Sequence, residues 1–169
     1  MNIYEQWAYD RLRQEGFEVF TAYKDKGVDC IVTDGDFEGR HQRIQIKGSR
    51  THGLRTDGTG LGWFQVTDAK LDEKITDFWV FVWADAEQGR WDPIFVVCPA
   101  GMLRARLGSR ARASANGKLN LYLNHRRDGG EDTVWDTRDN PDPSDPDFDY
   151  TRYFEAWQPL WDAVRGKST

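Results

Sequence analysis

Apolar residues recur at helical spacing at the start of the chain: Tyr4, Trp7, Ala8 and Leu12, with Ile3 beside them. The spacing predicts a helix from Asn2 to about Glu15, with Asn2 as N-cap and Gly16 as the glycine that ends it. Short β-prone runs follow. Phe17 to Ala22 predicts a strand, Cys30 to Val32 a second, and Arg43 to Lys47, which alternates polar and apolar side chains, a third. Asp34-Gly35-Asp36 and Glu38-Gly39 supply turn chemistry between the last two, which therefore read as a hairpin. Trp63 to Val66 resumes as a strand, and Thr67-Asp68 caps a short helix running to about Ile75. Phe78 to Ala84, FWVFVWA, is almost continuously apolar, as expected of a strand covered on both faces in mid-sheet. Pro93 to Cys98 reads as another interior strand, Met102 to Leu107 as a helix, and Asn116 to Asn124, where Leu119, Leu121 and Leu123 alternate, as one more strand. Tyr153 to Val164, with Phe154, Trp157, Leu160 and Trp161, has helical spacing despite Pro159.

Two stretches have neither period. Gly48 to Gly60 is rich in glycine and predicts a mobile loop at the exit of the third strand. Residues 139–150 are acidic and proline-rich, and their prolines and lack of a central glycine break the spacing of a calcium loop, so they read as a solvated connection. The expected architecture is α/β: a single domain over residues 1–169 with a central mixed β-sheet flanked by helices, the 139–150 connection, and a C-terminal helix at 151–165.

Composition narrows the classes. A chain of 169 residues supports one domain with a real core. Aromatic residues make up 14%, including eight Trp, which argues against disorder. The net charge of -5 argues against a protein that coats nucleic acid non-specifically, yet a local basic patch can still bind phosphate. No apolar run reaches the length of a membrane span, and MNIYEQWAYD lacks a secretory pattern, so a cytoplasmic protein without a membrane partner is expected. Cys30 and Cys98 have no metal-ligand spacing and read as buried free thiols. His41, His52 and His125 have no nucleophile or zinc spacing and read as surface or loop residues.

The hairpin carries the candidate chemistry. Residues two apart on a strand share a face, so Gln45 and Lys47 project together while Ile46 points into a core. Asp29, just ahead of the partner strand, can lie beside them. A carboxylate and an amide oxygen are hard donors suited to Mg²⁺ or Mn²⁺, and an adjacent lysine can hold a phosphate or developing negative charge. Glu5, in the first turn of the first helix, is either an acid favoured by the helix dipole or a third oxygen ligand. Lys24, Lys26, Arg50 and Arg55 are candidate nucleic-acid contacts. Arg104, Arg106, Arg110 and Arg112 form either a second phosphate patch or a solvated basic face.

A helix with an early Glu, a strand, Gly27-Val28-Asp29 opening a second strand and Gln45-Ile46-Lys47-Gly48 closing a third together resemble the PD-(D/E)XK nuclease superfamily. Within it, the order resembles Mrr-like restriction endonucleases and Holliday-junction-resolvase-like proteins. The resemblance covers the first third of the chain well and the rest in general layout. It implies a restriction-endonuclease-like fold and metal-dependent hydrolysis of DNA phosphodiesters, with RNA as a weaker option. By position, Asp29 would be the metal-binding aspartate, Gln45 would stand where most members have an acid, and Lys47 would be the catalytic lysine. The Ile46 carbonyl would complete the metal site, and Glu5 would be the helix acid. Gln45 keeps an oxygen but removes a negative charge, so metal should bind more weakly. Two readings result: an endonuclease in restriction, defence or DNA processing, or an inactive nuclease-fold module that binds nucleic acid or a protein. A homodimer is expected on the first, because duplex cleavage usually needs two sites, with the aromatic surface near Trp157 and Trp161 as a candidate interface.

Overall fold

Asn2 launches the first helix, α1 (Ile3–Gln14), through a reciprocal cap: its side chain accepts from the Glu5 N–H, and the Glu5 carboxylate accepts from the Asn2 N–H and amide. The computed structural model describes residues 2–21, 27–36, 39–52, 60–72, 75–85, 92–113, 116–138 and 144–167. After α1 come β1 (Glu18–Thr21), β2 (Cys30–Thr33), β3 (Gln42–Ser49), the short β4 (Thr51–His52) and β5 (Gly60–Thr67). Next are α2 (Asp68–Asp72), β6 (Phe78–Asp85), β7 (Asp92–Pro99), α3 (Ala100–Ala113), β8 (Lys118–Asp128) and β9 (Glu131–Asp136). A 3-10 turn (Thr151–Tyr153) and α4 (Gln158–Val164) end the chain. Thr67 caps α2 as its sequence predicts, its Oγ1 accepting from the Lys70 N–H at 3.3 Å.

The described strands form two sheets. The first is mixed, ordered β1-β2-β3-β6-β7, with β3 and β6 parallel and the other pairs antiparallel. The second, β4-β5-β8-β9, is antiparallel. β6 is buried along its apolar length because both faces are covered. On one face Ile44, Ile46, Val80 and Val82 pack with Ala8 and Leu12 of α1 and Leu160 and Val164 of α4. On the other, Trp79, Phe81 and Trp83 pack with Phe64 and Leu121 of the second sheet and Leu103 and Leu107 of α3. No helix among the described residues is long and apolar enough to cross a membrane.

Several expectations change. The expected central mixed sheet flanked by helices is present, and β5 and β8 pair in full register with each other in a second sheet that covers it instead of joining it. β7 is an edge strand, although its composition reads as interior. Its outer edge is covered by the chain itself, with Val96 bridged to Phe154 and the Glu155 N–H bonded to the Phe95 carbonyl at 2.9 Å. The C-terminal helix is shorter than 151–165, because the chain stays irregular until Gln158 and Pro159 fits the first turn, where its missing N–H is harmless. Of the 139–150 connection, 139–143 lie outside the described residues, and 144–147 are exposed. Trp157 and Trp161 do not form an outward aromatic surface: Trp157 is buried, and Trp161 stacks on Phe17 at 4.1 Å between centroids. His125 is buried rather than superficial, with Nε2 2.8 Å from Asp132 Oδ1 and its ring stacked on Phe154.

Candidate active site on the β2–β3 hairpin

β2 and β3 pair antiparallel with Cys30 opposite Ile44, so Asp29 stands just beyond the end of β2, where β3 runs on paired with β6 but no longer with β2. Its backbone N–H still bonds to the Ile44 carbonyl at 2.9 Å. Its side chain then takes over the ladder: Oδ2 accepts from the Ile46 N–H at 2.5 Å and from Gln45 Nε2 at 2.6 Å. Two hydroxyls hold this corner from outside. Tyr9 of α1 donates to the Asp29 carbonyl at 3.2 Å, and buried Thr76 donates to the Gly27 carbonyl at 3.1 Å.

Gln45 is buried at 6% exposure. Its Nε2 also lies 3.4 Å from the Ile46 carbonyl, so one N–H₂ group bridges a carboxylate and a carbonyl. Its Oε1 is buried with no hydrogen-bond partner among the described residues. An orphaned acceptor normally costs roughly 1–3 kcal/mol, so such an atom calls for an explanation. Lys47 lies on the same face. Its ammonium sits 5.9 Å from the ring centroid of Trp79, the residue opposite Gln45 on β6, so the side chain leans over the β6 side of β3.

The helix side is set by close contact at Gly48, where a Cβ would come within 2.4 Å of Tyr4. Glycine thus lets the first turn of α1 rest against the end of β3. Glu5 belongs to this turn, and both its oxygens are engaged by Asn2, which is the helix-terminus role the sequence left open. The Tyr9 phenol is pushed up by burial first, then by coupling to the Cys30 thiol and by the negative charges of Asp29 and Glu5, so Glu5 and Asp29 both act on it. Burial, and then the charge of Asp29, raises the Cys30 thiol to about 12, keeping it protonated.

The structure thus brings Asp29, Gln45 and Ile46 together, while Lys47 shares the Gln45 face of β3 with its ammonium over Trp79. Glu5 lies on the α1 side of the site, and Arg50 is exposed just past β3. Lys24, Lys26 and Arg55 fall outside the described residues. Tyr9 and Thr76 escaped the sequence reading. A signal existed for Tyr9, which lies one turn past Glu5 and three residues before buried Leu12. Among the described residues, no three His, Cys, Asp or Glu side chains cluster closely enough to hold a metal ion.

A mixed five-stranded sheet flanked by helices, with this hairpin at its centre, is a restriction-endonuclease-like α/β fold. The solved structure of a bacterial homing endonuclease, I-Ssp6803I, shares it, with a TM-score of 0.51 over 97% of this chain and 90% of that one, at 18% identity. No family model and no curated protein matches the sequence.

Proposed function

We propose that the chain is a metal-dependent endonuclease that hydrolyses DNA phosphodiesters, with Asp29, Gln45 and the Ile46 carbonyl as cation ligands and Lys47 as the partner of the phosphate. The observation that carries this reading is the buried Gln45 Oε1, without a hydrogen-bond partner among the described residues, on an amide whose nitrogen bonds the Asp29 carboxylate and the Ile46 carbonyl. The amide nitrogen now lies between two oxygens, where positive charge is favoured. Exchanging the two ends of the amide would make an all-oxygen donor set of the kind Mg²⁺ or Mn²⁺ takes. These residues therefore fit a hard divalent cation.

When bound, such an ion acidifies a water and offsets charge on the scissile phosphate. The chain's own groups do the rest. Lys47 is long enough to leave the Trp79 ring for a phosphoryl oxygen, where its charge opposes the negative charge that develops during displacement. Tyr9 and Thr76 hold the backbone at and before Asp29, so the carboxylate is positioned before substrate arrives. Glu5 enters as an acid acting through shared water rather than direct contact, because Asn2 occupies both its oxygens. Arg50, with Lys24, Lys26 and Arg55, supplies contacts to the nucleic-acid backbone.

One observation favours a second reading, a nuclease-fold module that binds without cutting: the proposed ligand set holds a single carboxylate, which makes for weak cation binding. Incubation with supercoiled and linear DNA in Mg²⁺, Mn²⁺ or EDTA separates the two. Metal-dependent nicking that disappears in Asp29→Ala and Lys47→Ala supports the enzyme. Intact DNA and RNA under all conditions, with folded protein, replaces it with the binding module.

A further inference from the structure

The arginine-rich helix has a use that the Asp29 site does not absorb. At the end of β3 away from Lys47, a groove of about 980 Å³ lies where β6 begins and β7 passes into α3. Arg104, Arg106 and Arg152 line it. None of the three forms an ion pair with an acid among the described residues.

Two of them are held in place by neutral groups. Arg104 Nε donates to the Leu71 carbonyl at 2.7 Å. Arg106 Nη1 donates to the Asp149 carbonyl at 2.5 Å, and its guanidinium lies 5.1 Å and 5.5 Å from the ring centroids of Tyr150 and Tyr153. Arg152 lies 4.9 Å from the Tyr153 centroid. Carbonyls and rings fix a guanidinium without cancelling its charge, and most of the five N–H donors of each guanidinium have no acceptor among the described residues. The acid in the groove, Asp77, is already bound by Arg43 through both oxygens. The first turn of α3 carries no acid, and a Cβ at Gly101 would meet nothing within 4 Å, so the backbone there is open to a ligand.

In a chain with 28 acids and 23 bases, three guanidiniums around one concavity with no acid paired to them among the described residues run against the average. Planar, pre-positioned forks are suited to phosphate oxygens. The groove is larger than a phosphate, and Phe78, Met102 and Tyr153 give it an apolar wall beside the cations. We infer that this groove binds the phosphate of a nucleotide, free or within a strand, through Arg104, Arg106 and Arg152, with the base or sugar against the apolar wall. The inference is independent of cleavage at Asp29.

The test is calorimetric titration of the full chain in EDTA at fixed ionic strength. The probes are thymidine 5′-monophosphate, thymidine, inorganic phosphate and a short single-stranded oligothymidylate. Saturable binding of the mononucleotide or the oligomer, absent for thymidine, is expected. The double variant Arg104→Gln/Arg152→Gln should weaken it at least about tenfold, the worth of one charge-assisted contact. Arg126→Gln on the second sheet should leave it unchanged. Tighter binding of the oligomer, lost in the same double variant, identifies a strand as the source; equal binding of the mononucleotide identifies a free nucleotide. Absence of binding by both probes, or equal binding by the double variant, overturns the inference. If the double variant does not fold, exposed Arg152→Gln alone decides: several-fold weakening supports the groove, and unchanged affinity refutes it.

Discussion

Asp29 and Asp77 occupy matching places on either side of β3, each one residue ahead of a strand that pairs with it. Their partners on β3 differ. Asp77 meets Arg43, which gives its backbone N–H, Nε and Nη2 to the two carboxylate oxygens, each at 2.9 Å. Asp29 meets Gln45, and receives an amide and the Ile46 N–H on one oxygen. A guanidinium with two parallel bonds neutralises an acid and locks it. A primary amide offers a donor at one end and an acceptor at the other, so it can hold an acid now and accept a cation later. Two positions on one strand, two residues apart, thus separate an acid locked by a guanidinium from the acid that we propose as a cation ligand.

The comparison breaks most sharply on activity. Asp29→Ala or Lys47→Ala should lower metal-dependent cleavage by about a hundred- to a thousandfold, the usual loss of a charge-stabilising group, while Asp77→Ala, once folded, should cleave within a few-fold of the parent in a plasmid-nicking assay. Stability should run the other way. Asp77→Ala should lose roughly 2–3 kcal/mol in urea unfolding, because it strips charge-assisted bonds from Arg43, whereas Asp29→Asn, which keeps an acceptor for Ile46, should lose less than about 1 kcal/mol.

Acid should reveal the same difference. Burial pushes the Asp77 carboxyl up, but the bonds and charge of Arg43 outweigh it and leave it below its ordinary value. A depressed folded-state pKa gives stability that is present above the unfolded carboxyl value of about 3.9 and is lost as pH falls through the lower folded value. Urea midpoints followed downward from about pH 5 should therefore lose this component in the parent and lack it in Asp77→Asn.

Smaller effects sharpen the Asp29 side. Gln45→Glu should tighten Mg²⁺ binding by about tenfold in calorimetry by adding a negative ligand, and it should melt lower than the parent in EDTA because two carboxylates then face each other. Equal melting in EDTA would show that residue 45 does not face Asp29. Tyr9→Phe should be the mildest, weakening Mg²⁺ binding by a factor within about tenfold and lowering stability by about 1 kcal/mol, through the lost bond to the Asp29 carbonyl.

The hairpin was legible because turn residues, alternation and strand length agree there, and side-chain alternation alone puts Gln45 and Lys47 on one face. The second sheet was not, since the leucines of β8 state which face is apolar but not which sheet they cover. Trp157 and Trp161 misled for a related reason: an aromatic stripe looks alike whether it packs on its own chain or on another. Glu5 was half legible. The Asn2-x-x-Glu5 spacing of a capping box was present, but a cap and a ligand ask for the same residue at the same turn. The bond from Tyr9 to Asp29 joins residues far apart in sequence, which no local pattern reports.

The close seat of Tyr4 on Gly48 makes residue 48 a hinge pin for the whole corner. A single methyl group there would lever the first helix outward, and the Tyr9 hydroxyl would travel with it, away from the carbonyl it steadies. Any variation of the stretch after Lys47 should therefore begin beyond this glycine, because a change at it would first loosen the backbone around Asp29.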